Sequence, residues 1–225
     1  MSSSKSAFLL SPDTVIASCG QLSAAEPARL GIMASGSGSN FEAIARAIEA
    51  GKLNAQIVGV VYNNPDAKVA ERAARLGIPA QLLDHRAFDS REALDEAIST
   101  AFKELGANWI VMAGWMRRVT QTLLSAFPQR VLNIHPSLLP SFPGIRAVEQ
   151  ALTAGVKIAG CSVHYVELVV DSGPLIAQAA VPVLADDTVE TLQARIQVQE
   201  HQLFPLAIAI AIQQSYASNA RNNGQ

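Results

Sequence analysis

Leu30-Gly31-Ile32-Met33-Ala34 runs directly into Ser35-Gly36-Ser37-Gly38-Ser39-Asn40 and then into Phe41-Glu42-Ala43-Ile44-Ala45-Arg46-Ala47-Ile48-Glu49-Ala50. The first five residues lack polar alternation, as in a strand buried on both faces. From Phe41 the apolar residues return at helical spacing, and Gly51 stands where such a helix ends. Between strand and helix, the glycines allow a tight turn and a close backbone approach to a ligand, while the helix start offers free N–H groups. The positive end of the helix dipole there favours an anion by roughly 0.3–1 kcal/mol at an exposed site. No Gly-Lys-Ser/Thr follows, so this is not a Walker loop. Phe41 occupies the third glycine position of the dinucleotide fingerprint, so it is not that motif either. Taken alone, the segment reads either as a phosphate loop or as a plain strand-to-helix turn.

The same alternation continues outward. Ile57 to Tyr62 is a β-branched strand ended by Asn63-Asn64-Pro65, and residues 67–76 form a helix closed by Gly77. A short strand at 80–83 and a helix from Ser90 to Leu105, with Ser90 as N-cap, follow. Trp109 to Ala113 is a continuous apolar strand. Strand and helix at this spacing build βαβ units, with a mostly parallel twisted sheet and helices on both faces. The first half is therefore expected to be Rossmann-like α/β. Beyond Val131 the pattern changes. Runs at 162–170 and 175–183, joined by Asp171-Ser172-Gly173-Pro174, predict an antiparallel strand pair added to the parallel sheet. A last amphipathic helix is expected over 188–213, kinked at Pro205. The expected organisation is an unstructured extension over 1–29, one domain over 30–217 and a frayed polar tail over 218–225.

Composition limits the function. Across 225 residues, 49 % are hydrophobic and 16 % charged, enough for a substantial core. A net charge of −2 supplies no basic field for a nucleic-acid backbone. Cys19 and Cys161 have neither metal-ligand nor C-x-x-C spacing, which fits a reducing compartment. The longest apolar run, 203–212, is about half of the ~20 residues needed to span a bilayer. A cytoplasmic protein is expected. The Ser- and Ala-rich residues 1–29 leave organellar import as the alternative.

Arg130-Val131-Leu132-Asn133-Ile134-His135-Pro136-Ser137-Leu138-Leu139-Pro140 carries the chemistry. Strand alternation points Asn133 and His135 the same way, and Pro136 ends the ladder. Both then lie at a strand's carboxyl end, where open α/β sheets place their sites. An amide and an imidazole side by side can hydrogen-bond an oxygen that becomes negative, as acyl transfer requires, and histidine can exchange protons near neutral pH. The plainer alternative is a structural histidine and a turn-forming asparagine. Asp171 could orient that imidazole and take up a proton, or could simply be a turn residue. His85, His164 and His201 form no metal-ligand pattern and are expected in structural or surface roles. Trp109 and Trp115 are expected to be packing residues.

Gly-Ser-Gly-Ser-Asn at 36–40, Asn-Ile-His-Pro-Ser-Leu-Leu-Pro at 133–140 and Asp-Ser-Gly-Pro at 171–174 occur in this order and spacing. On these motifs the chain resembles the folate-dependent formyltransferases, and among them the phosphoribosylglycinamide formyltransferases of purine synthesis, from about Arg29 to Ala217. The resemblance implies formyl transfer from 10-formyltetrahydrofolate, as co-substrate, to the amine of glycinamide ribonucleotide, without a metal. It implies Asn133, His135 and Asp171 as catalytic residues, and Gly38, Ser39 and Asn40 as holding the ribonucleotide phosphate. Gln197 and Glu200 are implied to bind the rest of that substrate; their i, i+3 spacing independently puts them on one helix face. Folate contacts are implied for Arg91, Met116, Arg117, Arg118, Val119, Asn133 and Glu167 to Asp171.

Two departures stand out. The family's polar, acidic loop before the aspartate is here Glu167-Leu168-Val169-Val170, leaving backbone contacts to folate as what the resemblance implies there. After Pro143-Gly144, where the family often carries histidines, stand Ile145 and Arg146, and no role is carried over to them. Small-molecule substrates are the expected partners, with no nucleic acid or membrane, and monomer and homodimer both stay open. Formyltetrahydrofolate hydrolysis would be expected to come with a regulatory domain larger than residues 1–29, and tRNA formylation with a further C-terminal domain. A non-catalytic nucleotide-binding module is the alternative of a different class. It gives no reason for an oxyanion donor pair beside a carboxylate.

Overall fold

The computed structural model describes residues 9–11 and 26–222. β1 (Leu9–Ser11) is followed by β2 (Ala28–Ala34), α1 (Ser39–Glu49), β3 (Ala55–Tyr62), α2 (Val69–Arg75) and β4 (Ala80–Leu82). Then come α3 (Arg91–Glu104), β5 (Trp109–Met112), α4 (Gln121–Ala126), β6 (Val131–His135) and α5 (Ala147–Thr153). β7 (Ile158–Tyr165), β8 (Leu175–Pro182) and α6 (Val189–Asn222) complete the described chain. The eight strands form one sheet in the order β1-β8-β7-β6-β5-β2-β3-β4. β6, β5, β2, β3 and β4 run parallel, whereas β7, β8 and β1 pair antiparallel. The expected α/β architecture is therefore present.

Alternation along the central strands divides the core into two layers. Trp109 and Val111 of β5 pack with α1, α2 and α6, while Ile110 and Met112 pack with α3 and α4 on the other face. Arg130 also places its guanidinium 4.9 Å from the centre of the Trp109 ring. From β2 the chain steps outward to β3 and β4, then returns to the other side of β2 as β5. That reversal opens a crevice between the carboxyl ends of β2 and β5, the usual place for a ligand in such sheets.

Several expectations need correction. Leu9–Ser11 pairs with β8, and β2 already begins at Ala28, so part of the expected extension belongs to the sheet. Residues 1–8 and 12–25 of that extension, Cys19 included, lie outside the described residues. β7 covers Ile158–Tyr165, not 162–170. The Tyr165 N–H donates to the Pro174 carbonyl, closing the ladder there, and Leu168 and Val169 are exposed in the loop that follows. α6 runs on to Asn222 with Pro205 inside it, so residues 218–222 are helical instead of a loose tail. α4 and α5 were not anticipated. Ser90 does cap α3, its hydroxyl accepting from the Ala93 N–H at 3.0 Å.

Candidate active site

A cleft of about 870 Å³ opens at the crevice between β2 and β5. The Gly36–Asn40 loop forms one wall and the segments after β5 and β7 form another, with the end of β6 between them. Loop and β5 end are tied together: Ser35 N–H donates to the Gly114 carbonyl (3.0 Å), and Met116 N–H to the Ser35 hydroxyl (2.9 Å).

Gly38 begins α1 with φ +73°, a conformation that favours glycine, and a Cβ added there would lie 2.7 Å from the Val69 side chain. Ser39 and Asn40 occupy the opening turn of α1, whose first N–H groups have no partner within the helix. α6 meets them from across the cleft. Gln197 donates to the Ser39 hydroxyl at 3.0 Å, and Asn40 donates to the Glu200 carboxylate at 2.9 Å. The expected grouping of Gly38, Ser39, Asn40, Gln197 and Glu200 is thus one continuous surface.

Burial pushes the Glu200 carboxyl above its ordinary range, only partly opposed by the Asn40 hydrogen bond. A carboxyl raised by folding leaves stability intact below its unfolded value of about 4.3, and costs stability as pH rises through the folded value. Glu200→Gln should therefore melt above the wild type at about pH 8, with the difference vanishing near pH 4. Thermal melts at the two pH values check this, and a pH-independent difference would contradict it.

On β6, Asn133 and His135 both face the cleft, as alternation required. Asn133 pairs in register with His164 of β7, and its amide nitrogen lies 3.2 Å from His164 Nε2. His164 Nδ1 donates to the Tyr165 carbonyl at 2.7 Å, which leaves Nε2 facing both the Asn133 amide and, 3.6 Å away, an Asp171 oxygen. When Nε2 is unprotonated it accepts from the amide, whose second N–H then stays available. His135 Nε2 donates to the Phe142 carbonyl at 2.9 Å, and Nδ1 is 3.3 Å from an Asp171 oxygen. Both nitrogens face oxygen acceptors, an arrangement fully satisfied by the doubly protonated ring.

Asp171 sits at φ +54°, its carboxylate also taking the Gly144 N–H at 2.8 Å and lying 3.6 Å from His164. Burial pushes the Asp171 carboxyl up. His164, the Gly144 N–H and the charge of His135 outweigh it and hold the group below the usual carboxylate range. His164, expected to be merely structural, is therefore part of this cluster. The readable signal was its alternation with Ser162 on a strand beside Asn133, which needed the strand register.

The second half of the eight-residue motif is scaffold. Ser162 donates to the Ser137 carbonyl (2.7 Å) and accepts from Leu139 N–H (3.0 Å), while Gln178 donates to the Leu139 carbonyl (3.0 Å). These bonds seat the loop that brings the Phe142 carbonyl to His135.

On the far side of the cleft, Met116, Arg117, Arg118, Val119, Glu167, Leu168 and Val170 line the wall. Val169 does not, and Arg91, exposed at the start of α3, lies outside the lining as well. Ile145 and Arg146, to which no role was assigned, do line it. Trp115 is buried, as expected of a packing residue, and also reaches the cleft. His85 hydrogen-bonds the Asn63 carbonyl at 2.9 Å. No group of three or more His, Cys, Asp or Glu positioned for a metal occurs among the described residues.

Known proteins share this sequence and fold. The sequence model of the formyl transferase family matches residues 28–208. The chain belongs to that family. Among its relatives, the phosphoribosylglycinamide formyltransferase of Bacillus subtilis is 42 % identical over 180 residues, spanning 80 % of this chain and 92 % of that protein. The trifunctional purine biosynthetic protein adenosine-3 of Drosophila pseudoobscura pseudoobscura is 43 % identical over 81 % of this chain, but that match spans only 14 % of the larger protein. The crystal structure of glycinamide ribonucleotide transformylase 1 from Symbiobacterium toebii superposes with a TM-score of 0.81 at 47 % identity, covering 82 % of this chain and 87 % of that one. This formyl transferase thus shares its sequence with these relatives and its fold with the solved structure.

Proposed function

We propose that this chain transfers the formyl group of 10-formyltetrahydrofolate to the amine of glycinamide ribonucleotide, a step of purine biosynthesis. The observation that carries the reading is the meeting of Asn133 and His135, at the end of β6, with Asp171 from the segment between β7 and β8, flanked by an anion-suited loop and an open, partly apolar wall. The relatives named for this activity support it.

The ribonucleotide phosphate sits on the N–H groups of Gly38, Ser39 and Asn40, and Gln197 and Glu200 hold its sugar and glycinamide end. The folate lies along Met116 to Val119 and the backbone of 167–171. Arg91 keeps a role only at the folate's outer end, beyond the cleft lining. The amine nitrogen attacks the formyl carbon, and the carbonyl electron pair moves onto oxygen. That oxyanion takes the free N–H of Asn133 and feels the positive charge of His135, both already in place before reaction. The carbon–nitrogen bond to folate then breaks as the folate nitrogen gains a proton and the new amide nitrogen loses one. Asp171 balances the His135 charge, accepts the proton from the amine nitrogen and passes it on, through water, to the departing folate nitrogen.

Incubation with 10-formyltetrahydrofolate, with and without glycinamide ribonucleotide, tests this by following folate release. Release that depends on the ribonucleotide is the expected result. Release without it indicates hydrolysis, and no release in either case indicates a binding module.

A further inference from the structure

The glycine loop is braced from behind by α2. Val69 N–H donates to the Gly36 carbonyl at 3.2 Å, and Arg72 Nε donates to the Ser37 carbonyl at 2.7 Å. Val69 also packs on Gly38. A terminal guanidinium nitrogen of Arg72 pairs with Glu42 in the first turn of α1. Arg46 and Arg75 reach the same carboxylate at 2.7 and 3.2 Å. Neither Glu42, Val69 nor Arg72 lines the cleft.

The direction of these bonds matters. Two consecutive carbonyls of the loop, at Gly36 and Ser37, are held toward α2 by donors, and a carbonyl turned toward the cleft would repel an anion. The N–H groups of Gly38, Ser39 and Asn40 find no acceptor among the described residues. An exposed ion pair contributes only about 0–1 kcal/mol and would need no further role. Arg72 differs because one planar fork serves a backbone carbonyl of the loop and a carboxylate of the following helix together. It also leaves three guanidiniums against one carboxylate beside the anion loop, which favours a doubly charged phosphate.

We propose that Arg72 is a positioning residue for phosphate binding: it fixes the Ser37 carbonyl away from the cleft and so aims the following N–H groups at the anion. This rests on the phosphate-loop reading above. The test compares wild type, Arg72→Met and Arg72→Lys by steady-state kinetics, by competition with inorganic phosphate, and by thermal melts. Arg72→Met should raise KM for the ribonucleotide about tenfold or more, the scale of one lost charge-assisted hydrogen bond, and weaken phosphate competition in parallel. Saturated kcat and the folate KM should change little. Arg72→Lys should fall between the two, since one ammonium keeps the charge but cannot span both acceptors.

Unchanged ribonucleotide KM and phosphate competition in Arg72→Met overturn the proposal. So does an equal loss in kcat and both KM values with a lowered Tm, the mark of a merely structural arginine. If inorganic phosphate fails to compete even in the wild type, the phosphate-loop reading itself falls, and this proposal with it.

Discussion

Asn133→Ala and His135→Ala are each expected to lower kcat by about 10²-fold or more, the typical loss for one preorganised donor to an oxyanion. Asn133 is half-buried and makes its hydrogen bond to His164, so removing the amide leaves the sheet intact and takes away the aimed N–H. KM for both substrates should move less than kcat, because the donor acts on charge that exists only during reaction. His135→Ala removes a buried ring held by Phe142 and Asp171, so melting should be measured beside the kinetics. Near-wild-type kcat in both variants would sink the oxyanion assignment.

Asp171→Asn isolates charge from shape. Asparagine tolerates the left-handed conformation that Asp171 adopts, and its amide oxygen can still accept the Gly144 N–H. What is lost is the negative charge beside His135 and His164. The expected result is a fall in kcat of about 10²–10⁴-fold, the range for a positioned acid or base, with folate KM largely kept. Normal kcat with a lowered Tm would instead mark Asp171 as structural. The same variant carries a pH signature. Because the folded carboxyl titrates below its unfolded value of about 3.9, its contribution to stability is present above that pH and is lost as pH falls through the folded value. Denaturant melts across the acid range should show this contribution in the wild type and not in Asp171→Asn.

Much of the fold was legible because parallel strands and their covering helices repeat on a fixed period. Trp109–Met112 is apolar without alternation because both of its faces are buried, and the sequence says so directly. α4 and α5, with six and seven residues, are too short for a helical period to stand out. Val169 and Val170 looked like strand because β-branched residues favour sheets, yet tertiary closure at Tyr165 leaves them in the exposed loop that follows β7, with Val170 alone of the two lining the cleft. The last part of α6 escaped because the residues after Gln213 are mostly polar, so no apolar period carries the helix pattern on to Asn222.

In the site, Asn133 and His135 were readable from two-residue alternation alone. His164 was not, since its role comes from the pairing of β7 with β6, which no local pattern encodes. Arg91 needed the fold as well: the motif match names the residue, and only the structure sets it at the start of α3, outside the cleft lining.

The bond from Asn40 to Glu200 joins residues 160 positions apart. A growing chain therefore presents its glycine loop long before α6 exists to complete that wall. Formation of the binding surface must wait for nearly the whole polypeptide, and contacts of such separation are slow to form. A molecule that engages both α1 and α6 would fasten the early and late parts of the chain to each other.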